Sequence, residues 1–372
     1  MNQSLCSARV LPRARSDRRA RDPLADTIGR PCAPLLVAVL ALCLTPWSPG
    51  FAQAGFDIKS RLSVQTPSDP VLAKARIDSV FLASTTVLWG TSAGLFIERP
   101  DGTGTWWNAG NAPFKLEEFV AVAARAPNEL WVAVRNPAAG QGLFLYDGTR
   151  WQRFHPSLNE MLSELTNCLL VDARNRLWVG YEERGIDRFI GEGYGTKTLR
   201  LFGGLKVKDG LLPGSVNSLA ESGGRIWVGS TSGLCRFDPD SEHKTSFESW
   251  TFERGFPDHA VWAVIPYGNG RVACGTDQGF VVPDGEGWKL IGRADGLATV
   301  PVKAIATERG RLWVGHNEGL QVYENGRLSA LLYTPDLLPA QPVRCLAARE
   351  LPDGTSRLFV GTEAGARVFT VR

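Results

Sequence analysis

Beyond residue 80 the chain is written in short apolar runs separated by glycine and aspartate, and one run keeps returning in nearly the same words. It reads VLWGTSAGLFI at 87–97, LWVAVRNPAAGQGLFLYD at 130–147, LWVGYEERGIDRF at 177–189, IWVGSTSGLCRFD at 226–238, VACGTDQGFVV at 272–282, LWVGHNEGLQVY at 312–323 and LFVGTEAGARVF at 358–369. Its aromatic slot falls on Trp89, Trp131, Trp178, Trp227, Ala273, Trp313 and Phe359, at spacings of 40 to 49 residues with a mean of 45. A period of that size along most of a chain is the mark of a repeat architecture.

Each unit has one internal order. A β-branched apolar segment comes first: Val80–Leu82, Phe119–Val122, Cys168–Val171, Val216–Leu219, Val261–Ile265, Val302–Ile305 and Val343–Leu346. A turn, the LWVG run, a short polar insert and a GLxxY run follow. An Asp-Gly or Asn-Gly turn (Asp101-Gly102, Asp147-Gly148, Asp284-Gly285, Asn325-Gly326) then leads to a segment often carrying an aromatic, as at Trp106, Trp151, Phe202, Trp250 and Trp288. Such dipeptides between apolar runs are hairpin signals, because both central residues of the favoured turn take positive φ. Four antiparallel strands per unit result. The LWVG run is apolar at successive positions, so it is covered on both faces. Sheets stacked around an axis supply that cover and hide most edges.

The pattern predicts an all-β fold: a seven-bladed β-propeller of four-stranded antiparallel blades over 55–372. The last unit ends at Arg372 after its third strand, and a spare β-like segment, DIKSRLSVQ at 57–65, precedes the first. That N-terminal strand is expected to complete the last blade and close the ring.

Composition changes the picture chiefly at the N-terminus. Arginines 9, 13, 15, 18, 19, 21 and 30 precede an apolar run (APLLVAVLALCL, 33–44) and then TPWSPGFAQA. This is the order of a secretory signal peptide over 1–54, with cleavage expected after Ala54. The net charge of +3 resolves into +4 in the leader and −1 in the remainder, which carries no basic run. Nucleic acid is therefore excluded as a partner. With no second long apolar segment, the mature chain is expected to be periplasmic or secreted and monomeric, with no transmembrane segment. Cys168, Cys235, Cys274 and Cys345 show no disulfide framework and no metal spacing, and read as small buried hydrophobes.

The stretch DGLLPGSVNSLAESGGRIWVGSTSGLCRFDPD at 209–240 resembles the two-component-regulator propeller repeat, and the unit from Asp295 to Tyr323 is similar to it. The resemblance covers the chain beyond the leader. It implies a seven-bladed propeller of the kind that serves as the periplasmic sensor of a membrane kinase or regulator, binding oligosaccharide-like ligands. Here no kinase, immunoglobulin-like spacer or DNA-binding segment accompanies the repeats, so any output is expected on a separate protein.

In this topology the turns between second and third strands and the connections between blades share one face. Carbohydrate, peptide or protein binding is expected there, in or around the channel mouth. The expected ligand-binding residues are Arg135, Tyr181, Arg184, Asp258, His259, Trp262, His316 and Asn317, with Trp262 as a stacking face. The tryptophans of the LWVG slot read as blade packing. No cofactor and no metal is called for. His155, His243, His259 and His316 are the histidines, none in a zinc spacing or beside a nucleophile elbow. The alternative is an enzyme acting on polysaccharide or a macrocycle. It would use a carboxylate pair drawn from Asp258, Asp277, Glu318 and Glu363, or His259 or His316 with Glu318 around a divalent ion.

Overall fold

A computed structural model describes residues 58–114, 118–126, 129–135, 142–159, 161–190, 200–241, 247–333, 337–338 and 342–372. The expected leader, its cleavage site and His243 lie outside the described residues. The described chain forms seven four-stranded antiparallel sheets arranged as a seven-bladed β-propeller. The inner strands are Ile77–Leu82, Glu118–Ala126, Thr166–Val171, Val216–Ser222, Val261–Pro266, Ala304–Glu308 and Val343–Glu350, in blades 1 to 7. The seventh blade takes its outermost strand from the N-terminal side: Leu62–Gln65 pairs with the third strand, Gly365–Val371, with Leu62 opposite Val371 and Gln65 opposite Val368. Inner strand, LWVG strand, GLxxY strand and outer strand all fall where the repeat places them.

Two slots of the LWVG strand build the walls between blades. The aromatic slot is buried in every blade, including Ala273 and Phe359 where tryptophan is missing. The glycine slot is a seat for the neighbouring blade. A Cβ on Gly315 would stand 2.5 Å from Val343 Cγ1, and one on Gly229 2.6 Å from Val261 Cγ1, each the residue that opens the next inner strand. Gly90 faces Phe119, Gly180 faces Val216, Gly275 faces Val302 and Gly361 faces Ile77 in the same way, so the ring closes on the same contact that builds it. A side chain in these seats would push blades apart, which explains why the wording ends in glycine. Blade 2 has Ala133 instead.

The turns depart from expectation in one respect. In the Asp-Gly turns only the glycine has positive φ: 81° at Gly102, 90° at Gly148 and 85° at Gly354. The aspartate instead folds its side chain onto the turn. Asp101, Asp147 and Asp353 each accept, through Oδ1, the backbone N–H of the threonine two residues on at 2.9 Å and its hydroxyl at 2.7 Å. Side-chain acceptance of that kind replaces the second left-handed residue. Asn325-Gly326 does take positive φ at both positions.

The four cysteines among the described residues are free, with Cys168, Cys235 and Cys274 buried and Cys345 partly so. Burial raises the thiols of Cys168, Cys235 and Cys345 to about 12, so they act as small core residues. No helix among the described residues is long and apolar enough to cross a membrane.

Candidate functional site

The inner strands line a central channel, with a cavity of about 300 Å³ whose walls draw on all seven blades. One equivalent slot supplies its most varied residues. At the start of each inner strand a buried residue (Ile77, Phe119, Thr166, Val216, Val261, Val302 or Val343) is followed by Asp78, Val120, Asn167, Asn217, Trp262, Lys303 or Arg344, all lining the channel; in blade 6 the pair lies just before the strand. In six blades the pairing register slips around this position, between Ile77 and Ser79, Phe119 and Ala121, Thr166 and Cys168, Val216 and Ser218, Val261 and Ala263, and Val343 and Cys345. A bulge of this kind leaves one residue out of the ladder and re-aims its side chain. The ring is therefore built by the backbone.

Neighbouring groups fix these side chains. Asp78 Oδ1 lies 3.1 Å from Arg344 Nη2 of blade 7 and 2.8 Å from Arg76 Nε, while Arg344 Nη1 reaches Glu363 Oε2 at 3.2 Å. Asn167 Oδ1 accepts from Arg135 Nη2 at 2.9 Å, and Arg135 also stands 3.8 Å from Glu182. Asn217 Nδ2 donates to the carbonyl of Val261 at 3.0 Å. Trp262 Nε1 donates to Asp277 Oδ1 at 2.7 Å, and the ammonium of Lys303 sits 4.5 Å from the indole centroid. Cation and ring attract in that geometry. The mouth thus joins Arg76, Arg135, Lys303 and Arg344 to Asp78, Glu182, Asp277 and Glu363, equal numbers of each sign.

Of the residues singled out in the sequence, Trp262 lies in the ring and Arg135 holds Asn167 from behind. Arg184 and Asn317 are exposed turn residues on the same face, and His259 is exposed beside Phe252, with ring centroids 4.2 Å apart. Tyr181, Asp258 and His316 are placed differently from the loop positions expected of them, because all three are buried. Tyr181 ends the LWVG strand of its blade and donates its hydroxyl to Asp187 Oδ2 at 2.8 Å; burial, the Asp187 charge and this bond all raise its pKa. Asp258 accepts the N–H groups of His259 at 2.7 Å and Gln278 at 2.8 Å, tying a blade connection to a turn. His316 fills the slot that holds Thr91, Ser230, Thr276 and Thr362 elsewhere, where a hydroxyl donates to the carbonyl of the glycine three residues on. Its Nδ1 accepts from the N–H of Glu318 at 3.2 Å and its Nε2 bonds Gln321 Oε1 at 3.1 Å. Burial lowers its pKa, so the neutral ring serves as a turn holder. Among the described residues, no group of three or more His, Cys, Asp or Glu is placed to hold a metal ion.

Asp78, Val120, Asn167, Asn217, Lys303 and Arg344 were not expected. The signal for them is in the sequence all the same: the residue after each repeated apolar opener is where the units disagree. A second feature marks the same face. The exposed large hydrophobic side chains among the described residues are Val71, Leu158, Val207, Phe252 and Tyr333. Every one lies in a connection between the outer strand of one blade and the inner strand of the next.

No family model and no curated protein matches the sequence. Solved structures do match in fold. Virginiamycin B lyase from Staphylococcus aureus has a TM-score of 0.59 at 10% identity, over 84% of this chain and 99% of that one. YCF48 bound to D1 peptide has a TM-score of 0.57 at 13% identity, over 86% and 97%. The extracellular domain of a putative hybrid two component system from B. thetaiotaomicron has a TM-score of 0.44 at 15% identity, over 78% of this chain and 51% of that one. The chain spans between about a third and about half of the length of the two-component extracellular domains it matches.

Proposed function

We propose that the chain is an exported recognition module that binds a peptide or protein partner across the mouth face and carries out no chemistry of its own. The channel ring carries this reading. A scaffold that otherwise repeats itself presents six residue types in seven equivalent slots. An array mixing indole, aliphatic, amide, acid and base suits a partner whose groups also change from place to place, as polypeptide side chains do. A glycan of one repeated sugar calls for several like aromatic platforms, and Trp262 is the single aromatic in the slot. Scattered exposed apolar residues are ordinary on any protein, but their gathering in the connections of one face extends the patch outward. YCF48, of similar fold, is bound to D1 peptide, a precedent for this class of ligand.

Export rests on the leader at 1–54, and the resemblance of the repeat to two-component-regulator propellers suggests a sensing role with its output on another protein. The test is a screen of residues 55–372 on peptide and glycan arrays, repeated with Trp262→Ala and Lys303→Ala combined. The expected result is a peptide hit weakened at least tenfold by the double variant at unchanged melting temperature. Hits that the variant keeps would remove the mouth as the site. A glycan hit lost in the same way would replace the ligand class, and turnover of a ligand would favour an enzyme acting on polysaccharide or a macrocycle.

A further inference from the structure

The face opposite the mouth repeats a different device. In three blades the LWVG tryptophan donates its indole N–H to a carboxylate that also holds an arginine of its own blade. Trp178 donates to Asp172 Oδ2 at 2.8 Å and Arg176 meets the same oxygen at 2.6 Å. Trp313 and Arg311 converge on Glu308 Oε1 at 3.3 and 3.1 Å. Trp131 and Arg125 converge on Glu129 Oε1 at 3.0 and 3.3 Å. A buried carboxylate paired in this way has its charge countered within its own blade.

At the junction of blades 7 and 1 the device is split. Trp89 donates to Glu98 Oε2 at 2.8 Å, but the position two before it, arginine in blades 3 and 6, is Val87. In blade 7 that position is Arg357, exposed, with no hydrogen bond or ion pair to its guanidinium among the described residues and with Phe359 in the tryptophan slot. Glu98 and Arg357, neither of them in an ion pair within 4 Å among the described residues and acting on each other only through space, line one cavity of about 900 Å³ together with Arg99, Asp101 and Glu350. Arg349 of blade 7 braces it by donating to the carbonyls of Ala83 and Thr86 in blade 1. Val87, Phe359 and Val368 give the cavity apolar walls, and Thr66, Ser84 and Thr85 add hydroxyls. A pocket of this volume suits a small molecule.

We propose that this cavity binds a short peptide with free termini, or a free amino acid, its ammonium on Glu98 and its carboxylate on Arg357. The ligand supplies to each residue the partner that blades 2, 3 and 6 supply internally. A guanidinium matches a carboxylate in two parallel bonds, and Glu98 keeps Oε1 for an ammonium donor. Burial raises the pKa of Glu98 while Trp89 and Arg357 lower it, so a cation beside it would favour its charged form. The site is independent of the mouth and of any partner there.

The test is isothermal titration of residues 55–372 with a panel of free dipeptides bearing apolar, polar and charged side chains, each compared with its N-acetylated and C-amidated forms. The expected result is a free dipeptide that binds, loses at least tenfold affinity on blocking either terminus, and is lost with Arg357→Met. Trp262→Ala should leave this binding intact. Glu98→Gln should weaken it; if that variant does not fold, exposed Arg357 decides the matter alone. No binding at millimolar concentration, equal binding of blocked forms, or binding that survives Arg357→Met would each overturn the proposal.

Discussion

Two adjacent positions at the start of each inner strand, just before it in blade 6, behave in opposite ways. The first, Ile77, Phe119, Val216, Val261, Val302 or Val343, presses into the glycine seat of the preceding blade and is apolar in all six. The second lines the channel and passes through acid, aliphatic, amide, indole and two bases. One position is fixed by packing, where a single methyl group matters. The other lines the channel, in five of the six at a bulge, where backbone packing leaves the type of side chain free to vary. In a repeat protein, sameness therefore marks what the ring needs and difference marks what something outside the ring could read.

The strongest way to break this contrast is to fill a seat. Gly315→Val should cost about 3 kcal/mol, the upper range for overpacking, read as a lowered urea midpoint. Ala133→Gly, which empties the corresponding position of blade 2, should cost no more than about 1 kcal/mol. Equal effects would mean that the seat does not bear the wall. A smaller effect sharpens the other half: Val120→Asn and Lys303→Gln should each move stability by less than about 0.5 kcal/mol, as for surface sites without a special role. A large loss from either would make the ring part of the scaffold.

The smallest expected effect concerns the Asp-Gly-Thr turns, which belong to neither group. The Thr149 hydroxyl, followed by the N–H groups of Arg150 and Thr149, holds the Asp147 carboxyl at about 2. A lowered native pKa stabilises the fold fully above the unfolded value near 3.9, and that contribution is lost as the pH falls through about 2. Acid unfolding of Asp147→Asn should therefore be slightly shallower than that of the parent between about pH 4 and 2. An unchanged curve would show that the turn forms without its carboxylate.

The fold was legible because seven copies correct one another. VACGTDQG lacks the tryptophan and LWVAVRNP lacks the glycine, yet the neighbouring units fix the register of both. The site was less legible because a bulge leaves no mark in the hydrophobic pattern. Asn167 and Asn217 read as ordinary polar residues at strand starts, and nothing local announces that both look into the channel. Tyr181 and His316 misled for a related reason. Each is followed by charged or polar residues, EER and NEG, so each reads as loop, although the strand runs one residue further and buries it. Glu98 and Arg357 lie 259 positions apart, and only ring closure makes them neighbours.

That closure also sets a timetable. Leu62–Gln65 is made early, but its partner Gly365–Val371 comes some 300 residues later, roughly 15 to 60 s at ordinary rates of synthesis. Until then the blades can form one by one while the ring stays open, with an unpaired edge at each end. Ser63 and Gln65 point their polar side chains outward along the waiting strand, which blunts its appetite for the wrong partner. Under the export proposed above, a last stitch that cannot be tied before Gly365–Val371 arrives doubles as a delay.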